Sequence, residues 1–191
     1  MAVDSEETIR AFLALPLAGA FEPAVRPLIE KFKAQYPEVK WVQPGQIHLT
    51  LHFFGPVDSK DSSRIFECVA PIAKTAKPLE LRLKGIGAFP NMERPRVIWA
   101  GMEGDIDPLA RLHKDLEARF ERAGFPCEKR SFRPHLTLGR VREGKHIPAF
   151  RNPDFGPTES KKISEMVLYR SLLSPIGPTY ETIQTFTLPQ A

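Results

Sequence analysis

The sequence has 191 residues, a net charge of +4 at neutral pH and an ordinary share of apolar residues. This length fits one domain, or two small fused lobes, with a real hydrophobic core. No apolar run reaches the roughly 18 residues of a membrane helix, and the acidic N-terminus is unlike a signal peptide. The net positive charge favours an anionic partner such as a nucleotide or an RNA end. We therefore expect a cytoplasmic protein with no membrane association.

Hydrophobic periodicity predicts a mixed α and β chain. Alternation or short apolar runs predict strands over residues 8–17, 46–54, 79–89, 96–101, 132–141, 163–173 and 180–188. Apolar residues recurring at three and four predict helices over residues 22–36, 60–76 and 107–124. Residues 144–156 show no clear hydrophobic pattern, which predicts a loop. This order lacks the regular alternation of a doubly wound parallel sheet, which favours small sheets with hairpin-like neighbours.

Helix boundaries are indicated by proline, aspartate and glycine. Pro23 suits the first turn of the first helix. Asp107 with Pro108 suits the capping residue and first position of the third helix, and Gly124 suits its C-terminal cap. Asp105 and Asp107 also resemble a metal-binding Asp-x-Asp pair, but a helix cap explains Asp107 more simply.

The tetrapeptide His-Leu-Thr-Leu occurs twice, at His48–Leu51 and His135–Leu138, once in each half of the chain. Its alternation predicts a strand whose leucines enter the core while histidine and threonine share the opposite face. One such copy is most simply a partly buried, hydrogen-bonded histidine. Two copies indicate two similar lobes within one compact unit, residues 1–191. The two imidazoles and the two hydroxyls are then expected to face one cleft between the lobes.

The remaining histidines give weaker signals. His48 and His52 have the i, i+4 spacing of a helical metal motif, but the alternation around them favours a strand, and no carboxylate cluster accompanies them. On that strand His52 is expected to share the face of His48 and to line the cleft. His113 is expected to be structural or exposed on the third helix, and His146 lies in the predicted loop.

Basic residues surround the second motif. Arg140, five residues after His135, could turn back onto an anion, and a guanidinium matches the geometry of phosphate. A solvated surface explains the others: Lys129, Arg130, Arg133, Arg142 and Lys145. Cys68 and Cys127 lack the spacing of metal ligands, which favours reduced thiols, although one disulfide is compatible with the count.

Two imidazoles and two hydroxyls suit the opening of a cyclic phosphodiester. A base must deprotonate water while an acid protonates the leaving oxygen on the opposite side of phosphorus. Histidine titrates near neutral pH, so one can be neutral while the other is charged. Threonine hydroxyls can donate to the non-bridging oxygens. The symmetry of the two motifs does not say which histidine is the acid.

With these motifs the chain resembles the two-histidine (2H) phosphoesterases, and within them the LigT-like RNA 2',3'-cyclic phosphodiesterases, long called 2'-5' RNA ligases. The resemblance covers nearly the whole chain through landmarks at residues 10–12, 48–55, 87–90, 95–101, 132–140 and 171–180. It implies an α+β, bilobal fold with two pseudo-symmetric lobes, each with a small, mainly antiparallel sheet and outer helices, around a central active-site cleft.

The resemblance also implies hydrolysis of an RNA terminal 2',3'-cyclic phosphate to a 2'-phosphate, without metal or cofactor. His48 corresponds to the proton donor, His135 to the proton acceptor, and three residues to the phosphate-binding set: Thr50, Thr137 and Arg140. The implied partner is an RNA end, including tRNA fragments, or a small nucleotide, and the protein is expected to be a monomer. Reverse 2'-5' ligation is an implied side activity.

Two alternatives stay open. A nucleotide or RNA-end binding module would turn over little substrate, although retention of both histidines favours catalysis. A related phosphodiesterase would act on 2',5'-linked oligonucleotides or on other small cyclic phosphates.

Overall fold

The computed structural model describes residues 8–148, 150, 154–174 and 177–189. The α-helices of this part are α1 (Ala18–Gln35), α2 (Asp61–Ala73) and α3 (Ile106–Arg122). Its strands are β1 (Thr8–Pro16), β2 (Val39–Trp41), β3 (His48–Asp58), β4 (Leu79–Phe89), β5 (Val97–Gly104), β6 (His135–Val141), β7 (Lys161–Ile163), β8 (Glu165–Ser174) and β9 (Gly177–Thr187). None of the described helices is both long and apolar enough to cross a bilayer.

The strands form two antiparallel sheets, one in each lobe. The four-stranded sheet has the order β3-β1-β8-β9, and the five-stranded sheet has the order β2-β6-β5-β4-β7. Helix α1 packs on β2 and β7, whereas α2 packs on β3 and β9. Helices thus cover one face of each sheet, and β3 and β6 lie against each other between the lobes. This arrangement is the predicted α+β fold class.

Burial explains why the strands take these places. In β4 the residues Leu79, Leu81 and Leu83 are buried, while the charged residues between them are exposed. This strand therefore has one solvent-exposed face, as its alternation predicts. In β1, Ala11–Leu15 is buried without interruption. This strand is central, between β3 and β8, with Ala11, Leu13 and Leu15 in the core and Phe12 covered on the other face by the rings of His48, Tyr169 and Tyr180.

Two helix starts differ from the sequence-based expectation. Helix α1 begins at Ala18, because buried Phe21 extends the apolar stripe upstream, so Pro23 lies inside the helix and not in its first turn. Helix α3 begins at Ile106, with Asp105 at the N-cap position, so the prediction of Asp107 as the cap is wrong. The Asp105 carboxylate accepts a 2.9 Å hydrogen bond from the Glu80 backbone N–H, which ties the start of the helix to β4.

Several strand bounds also differ. Strand β3 continues through Gly55 to Asp58, because Gly55 adopts a φ of 71° that glycine tolerates without strain. The three-residue strands β2 and β7 are too short to show a periodic pattern. Strand β6 begins at His135, and β9 begins at Gly177. The described residues of the predicted loop contain neither helix nor strand, while residues 149 and 151–153 lie outside the described ranges.

Candidate active site between the two motif strands

The two histidine motifs open two neighbouring strands. His48 is the first residue of β3, and His135 is the first residue of β6. The leucines of both motifs are 0–3% exposed, whereas the histidines and threonines lie on the opposite, accessible face. The alternation predicted for both motifs is therefore confirmed.

Both imidazoles are held in the same way. His48 Nδ1 lies 2.8 Å from the carbonyl oxygen of Gln46, and His135 Nδ1 lies 2.7 Å from that of Arg133. A carbonyl can only accept, so Nδ1 carries the hydrogen in both rings and Nε2 is left for other chemistry. Pro134 favours this geometry in the second motif, because the residue before a proline is held in an extended conformation.

Aromatic rings orient the two histidines. The His48 ring meets Tyr180 edge-on at 5.2 Å and lies 5.0 Å from Phe12. The His135 ring meets Phe89 edge-on at 5.1 Å and lies 6.3 Å from Trp99. Each imidazole therefore has an aromatic wall from its own sheet, which restricts its rotation.

One glycine makes the second wall possible. A Cβ at Gly87 would overlap the ring of Trp99, which lies across β4 at this point. Trp99 then packs on Phe89 at 5.3 Å, and Phe89 packs on His135. The glycine in the landmark at residues 87–90 is thus explained by close packing of an indole ring.

The electrostatics of the two imidazoles are coupled. Burial lowers the pKa of His48; the hydrogen bond to Gln46 opposes this shift, and the charges of Arg140 and His135 add to it. Burial also lowers the pKa of His135. The hydrogen bond to Arg133 opposes this shift, and the charge of Arg140 adds to it. Both rings therefore favour the neutral form at neutral pH, and Arg140 is the positive charge that they share.

A β-bulge interrupts each motif strand at the same place. In the first lobe Leu13 pairs with His52 and Ala14 with Thr50, which leaves Leu51 as the extra residue. In the second lobe Ile98 pairs with Gly139 and Trp99 with Thr137, which leaves Leu138 extra. An extra residue reverses the alternation beyond it, so the residue five positions after each histidine lies on the histidine's own face. Those residues are Arg140 in β6 and Phe53 in β3.

The bulge also overturns one prediction. The alternation predicts that His52 lines the cleft beside His48, but His52 is only 5% exposed and lies on the opposite face of the sheet. Its ring packs 4.6 Å from Phe120, and its Nδ1 hydrogen-bonds to the Glu117 carboxylate, both residues of α3. The prediction is wrong because simple alternation does not continue past Leu51.

Sequence reasoning gave no role to four aromatic residues of this face. Phe12, Tyr169 and Tyr180 form a connected group around His48, with Phe12 and Tyr169 stacked at 5.2 Å. Phe53 pairs with Phe12 across the sheet, is 54% exposed, and carries the Arg10 guanidinium 5.5 Å from its ring centre. Only the pairing register reveals that these rings share one face.

The other predicted residues lie outside this face. His113 lies on α3 and stacks on Phe132 at 3.8 Å, which fits the expected structural role. His146 is exposed in the loop. Cys68 and Cys127 are free thiols, as predicted. Burial raises the pKa of Cys127 to about 11, and the Glu117 carboxylate adds to that shift.

Comparison with known proteins connects this geometry to a family. The model of the 2'-5' RNA ligase superfamily matches residues 21–171 of the chain. The chain belongs to the 2'-5' RNA ligase superfamily. A relative from Methanothermobacter thermautotrophicus, named RNA 2',3'-cyclic phosphodiesterase, is 34% identical over 94% of this chain and 99% of its own length.

Solved structures of similar proteins share the two-lobed superfamily fold. The crystal structure of TT0787 from Thermus thermophilus aligns with a TM-score of 0.82 at 30% identity, over 95% of this chain and 99% of that one. The E. coli LigT structure complexed with 3'-AMP aligns with a TM-score of 0.73 at 26% identity, over 96% of this chain and 100% of that one. The bilobal LigT-like fold expected from the motifs is therefore confirmed.

Proposed function

We propose that the protein hydrolyses the terminal 2',3'-cyclic phosphate of RNA to a 2'-phosphate. The observation that carries this proposal is the matched pair of imidazoles, each with its Nδ1–H bonded to a backbone carbonyl and its Nε2 left for proton transfer. The relatives named RNA 2',3'-cyclic phosphodiesterase support the same reaction. The RNA end is the proposed substrate, and small nucleotides fit the same chemistry, as the 3'-AMP complex of E. coli LigT suggests.

In the proposed mechanism the two histidines act on opposite sides of phosphorus. His135 takes the proton of the attacking water through Nε2, and His48 gives a proton through Nε2 to the leaving 3' oxygen. The lowered pKa of His135 keeps a base neutral at physiological pH. The anionic phosphodiester, once bound beside His48, would favour the imidazolium that the acid role needs.

Three side chains on the same face are proposed to bind the phosphate. The hydroxyls of Thr50 and Thr137 would donate to the non-bridging oxygens, and the guanidinium of Arg140 would balance the developing charge. The support for Arg140 is electrostatic, because its charge shifts the pKa of both histidines and must therefore lie near both.

A nucleobase has an aromatic surface available on the same face. Phe53 exposes 54% of its surface and is backed by Arg10, and stacking of one base on such a ring is worth about 1–3 kcal/mol. We propose that this surface binds the terminal base. The proposed mechanism needs neither metal nor cofactor; reverse 2'-5' ligation, a monomeric state and a cytoplasmic location remain predictions.

The test is turnover of a short RNA ending in a 2',3'-cyclic phosphate, in excess EDTA, followed by mapping of the product end. A 2'-phosphate is the expected product. A 3'-phosphate would keep the chemistry but reverse the bound orientation. Tight binding of the same RNA without turnover would instead support an RNA-end binding module, and cleavage of a 2',5'-linked oligonucleotide alone would change the substrate.

A further inference from the structure

Beneath β3, on the face away from the proposed active site, lies a compact group of side chains that the proposed reaction does not use. His52, Glu117 and Cys127 each bring one nitrogen, oxygen or sulfur atom within 4.8 Å of the others. They come from three segments: β3, helix α3, and the irregular segment after the turn that ends α3. His52 is 65 residues from Glu117 in the sequence, and the fold brings the two together.

The Glu117 carboxylate has no permanent cation beside it within the described part of the chain. Glu117 has a side chain 19% exposed and contacts His52, His113 and the Cys127 thiol. Among the described residues no lysine or arginine forms a salt bridge with it. A mostly buried carboxylate is costly unless a positive charge lies beside it. A metal ion held by the neighbouring donors would supply such a charge.

A fourth donor lies one helical turn away. His113 Nε2 lies 3.9 Å from the same Glu117 oxygen that contacts His52, since residues 113 and 117 share one face of α3. His113 is also hydrogen-bonded to the backbone of Leu51. Histidines that bind metals commonly make such a bond with their second nitrogen, which fixes the ring for ligation.

We propose that His52, Glu117 and Cys127, completed by His113, bind one Zn²⁺ ion. Nitrogen, carboxylate oxygen and thiolate sulfur are the donors of tetrahedral zinc sites. In such a site neighbouring donors lie roughly 3–4 Å apart. The donor atoms of His52, Glu117 and Cys127 already lie within 4.8 Å of one another, so these three need only small movements to close on an ion, and His113 would approach from one helical turn away. Binding would release the thiol proton of Cys127 to solvent.

The surroundings indicate a structural ion. The His52 ring is enclosed by Phe54 at 4.3 Å and by Phe120 at 4.6 Å, and His113 is covered by Phe132 at 3.8 Å. Such aromatic walls leave little access for a substrate. The ion would join the bulged part of β3 to α3 and to the segment after it, behind the strand that carries His48.

Cobalt titration of the whole, EDTA-stripped and desalted protein tests this proposal. Tetrahedral Co²⁺ bound to a thiolate gives visible d–d bands and a near-ultraviolet sulfur-to-cobalt charge-transfer band. One equivalent of Co²⁺ should produce both, and one equivalent of Zn²⁺ should remove them. Zn²⁺ should also raise the midpoint of thermal unfolding, because it binds only the folded state.

The chain provides matched controls. Cys127→Ser should lose the charge-transfer band, whereas Cys68→Ser should retain it, since Cys68 lies outside the cluster. His52→Gln should lose the stoichiometric d–d bands, and His48→Ala should retain them. Circular dichroism of each variant establishes that it is folded. Absence of both kinds of band in the wild-type protein, or survival of the charge-transfer band in Cys127→Ser, would overturn the proposal.

Discussion

Gly139 gives a direct test of how tightly the second motif strand is packed. It lies in β6 between the bulge at Leu138 and Arg140, and it pairs with Trp41 of β2. A Cβ at Gly139 would lie 2.7 Å from Val39 Cγ1 and 2.9 Å from Trp41 Cε3. Ordinary contact begins at 3.4 Å, so β2 must move by about 0.7 Å to accept an alanine.

Val39 and Trp41 cannot move freely. Val39 is 3% exposed and β-branched, and the Trp41 ring stacks on Phe32 at 5.4 Å. Overpacking of a buried site costs about 1–3 kcal/mol, so we predict that Gly139→Ala lowers the free energy of unfolding by about 2 kcal/mol. With a urea dependence of about 2 kcal/mol per molar, the unfolding midpoint should fall by about 1 M.

Equilibrium urea unfolding, followed by circular dichroism, measures this cost. Gly19→Ala is the matched control, because Gly19 lies in the first turn of α1 and a Cβ added there would meet no atom within 4 Å. That variant should be unchanged or slightly more stable, since alanine is the better helix former. Equal midpoints for Gly139→Ala and the wild-type protein would refute the inferred packing of β6 on β2.

Three further predictions concern charge and stacking. Arg140→Gln should raise the pKa of His48 and of His135, so both limbs of the pH dependence of kcat/KM should move to higher pH. Arg142→Gln is the control and should leave both limbs in place, because the charge of Arg142 does not shift the pKa of either histidine. Phe53→Ala should raise KM for RNA by about 10-fold, as expected for the loss of one stacked base, while Phe66→Ala, an exposed phenylalanine of α2, should not. The free energy of unfolding should fall as pH drops below about 6.5, because His48 and His135 bind protons less readily in the folded chain than in the unfolded chain. The double variant carrying His48→Ala and His135→Ala should show a flatter dependence, by up to about 1.4 kcal/mol per pH unit for each histidine removed.

Hydrophobic alternation within each motif is enough to predict which side chains of the motif strands are buried. The alternation of His48–Leu51 and of His135–Leu138 placed the leucines in the core and the histidines on the accessible face, as the structure has them. Arg140, singled out by its spacing from His135, lies in β6 and its charge lowers the pKa of both histidines, while its phosphate-binding role stays a prediction. The backbone carbonyls of Gln46 and Arg133, which fix both imidazoles, carry no side-chain signal and could not be predicted.

Features set by strand pairing were missed. A bulge arises when two residues of one strand oppose one residue of its partner, so Leu51 and Leu138 show it only after β3 and β6 are paired. Alternation alone therefore placed His52 on the wrong face. Strand β2 is three residues long, and its formation depends on its pairing with β6.

The central claim is that His48 and His135 perform the two proton transfers. Single-turnover hydrolysis of an RNA 2',3'-cyclic phosphate by His48→Ala and by His135→Ala tests it most directly, with binding of the same RNA measured in parallel. Each variant should lose about 100-fold to 10,000-fold in rate, the usual contribution of a positioned acid or base, while staying folded and retaining most of its RNA affinity. Undiminished turnover in either variant would contradict the account.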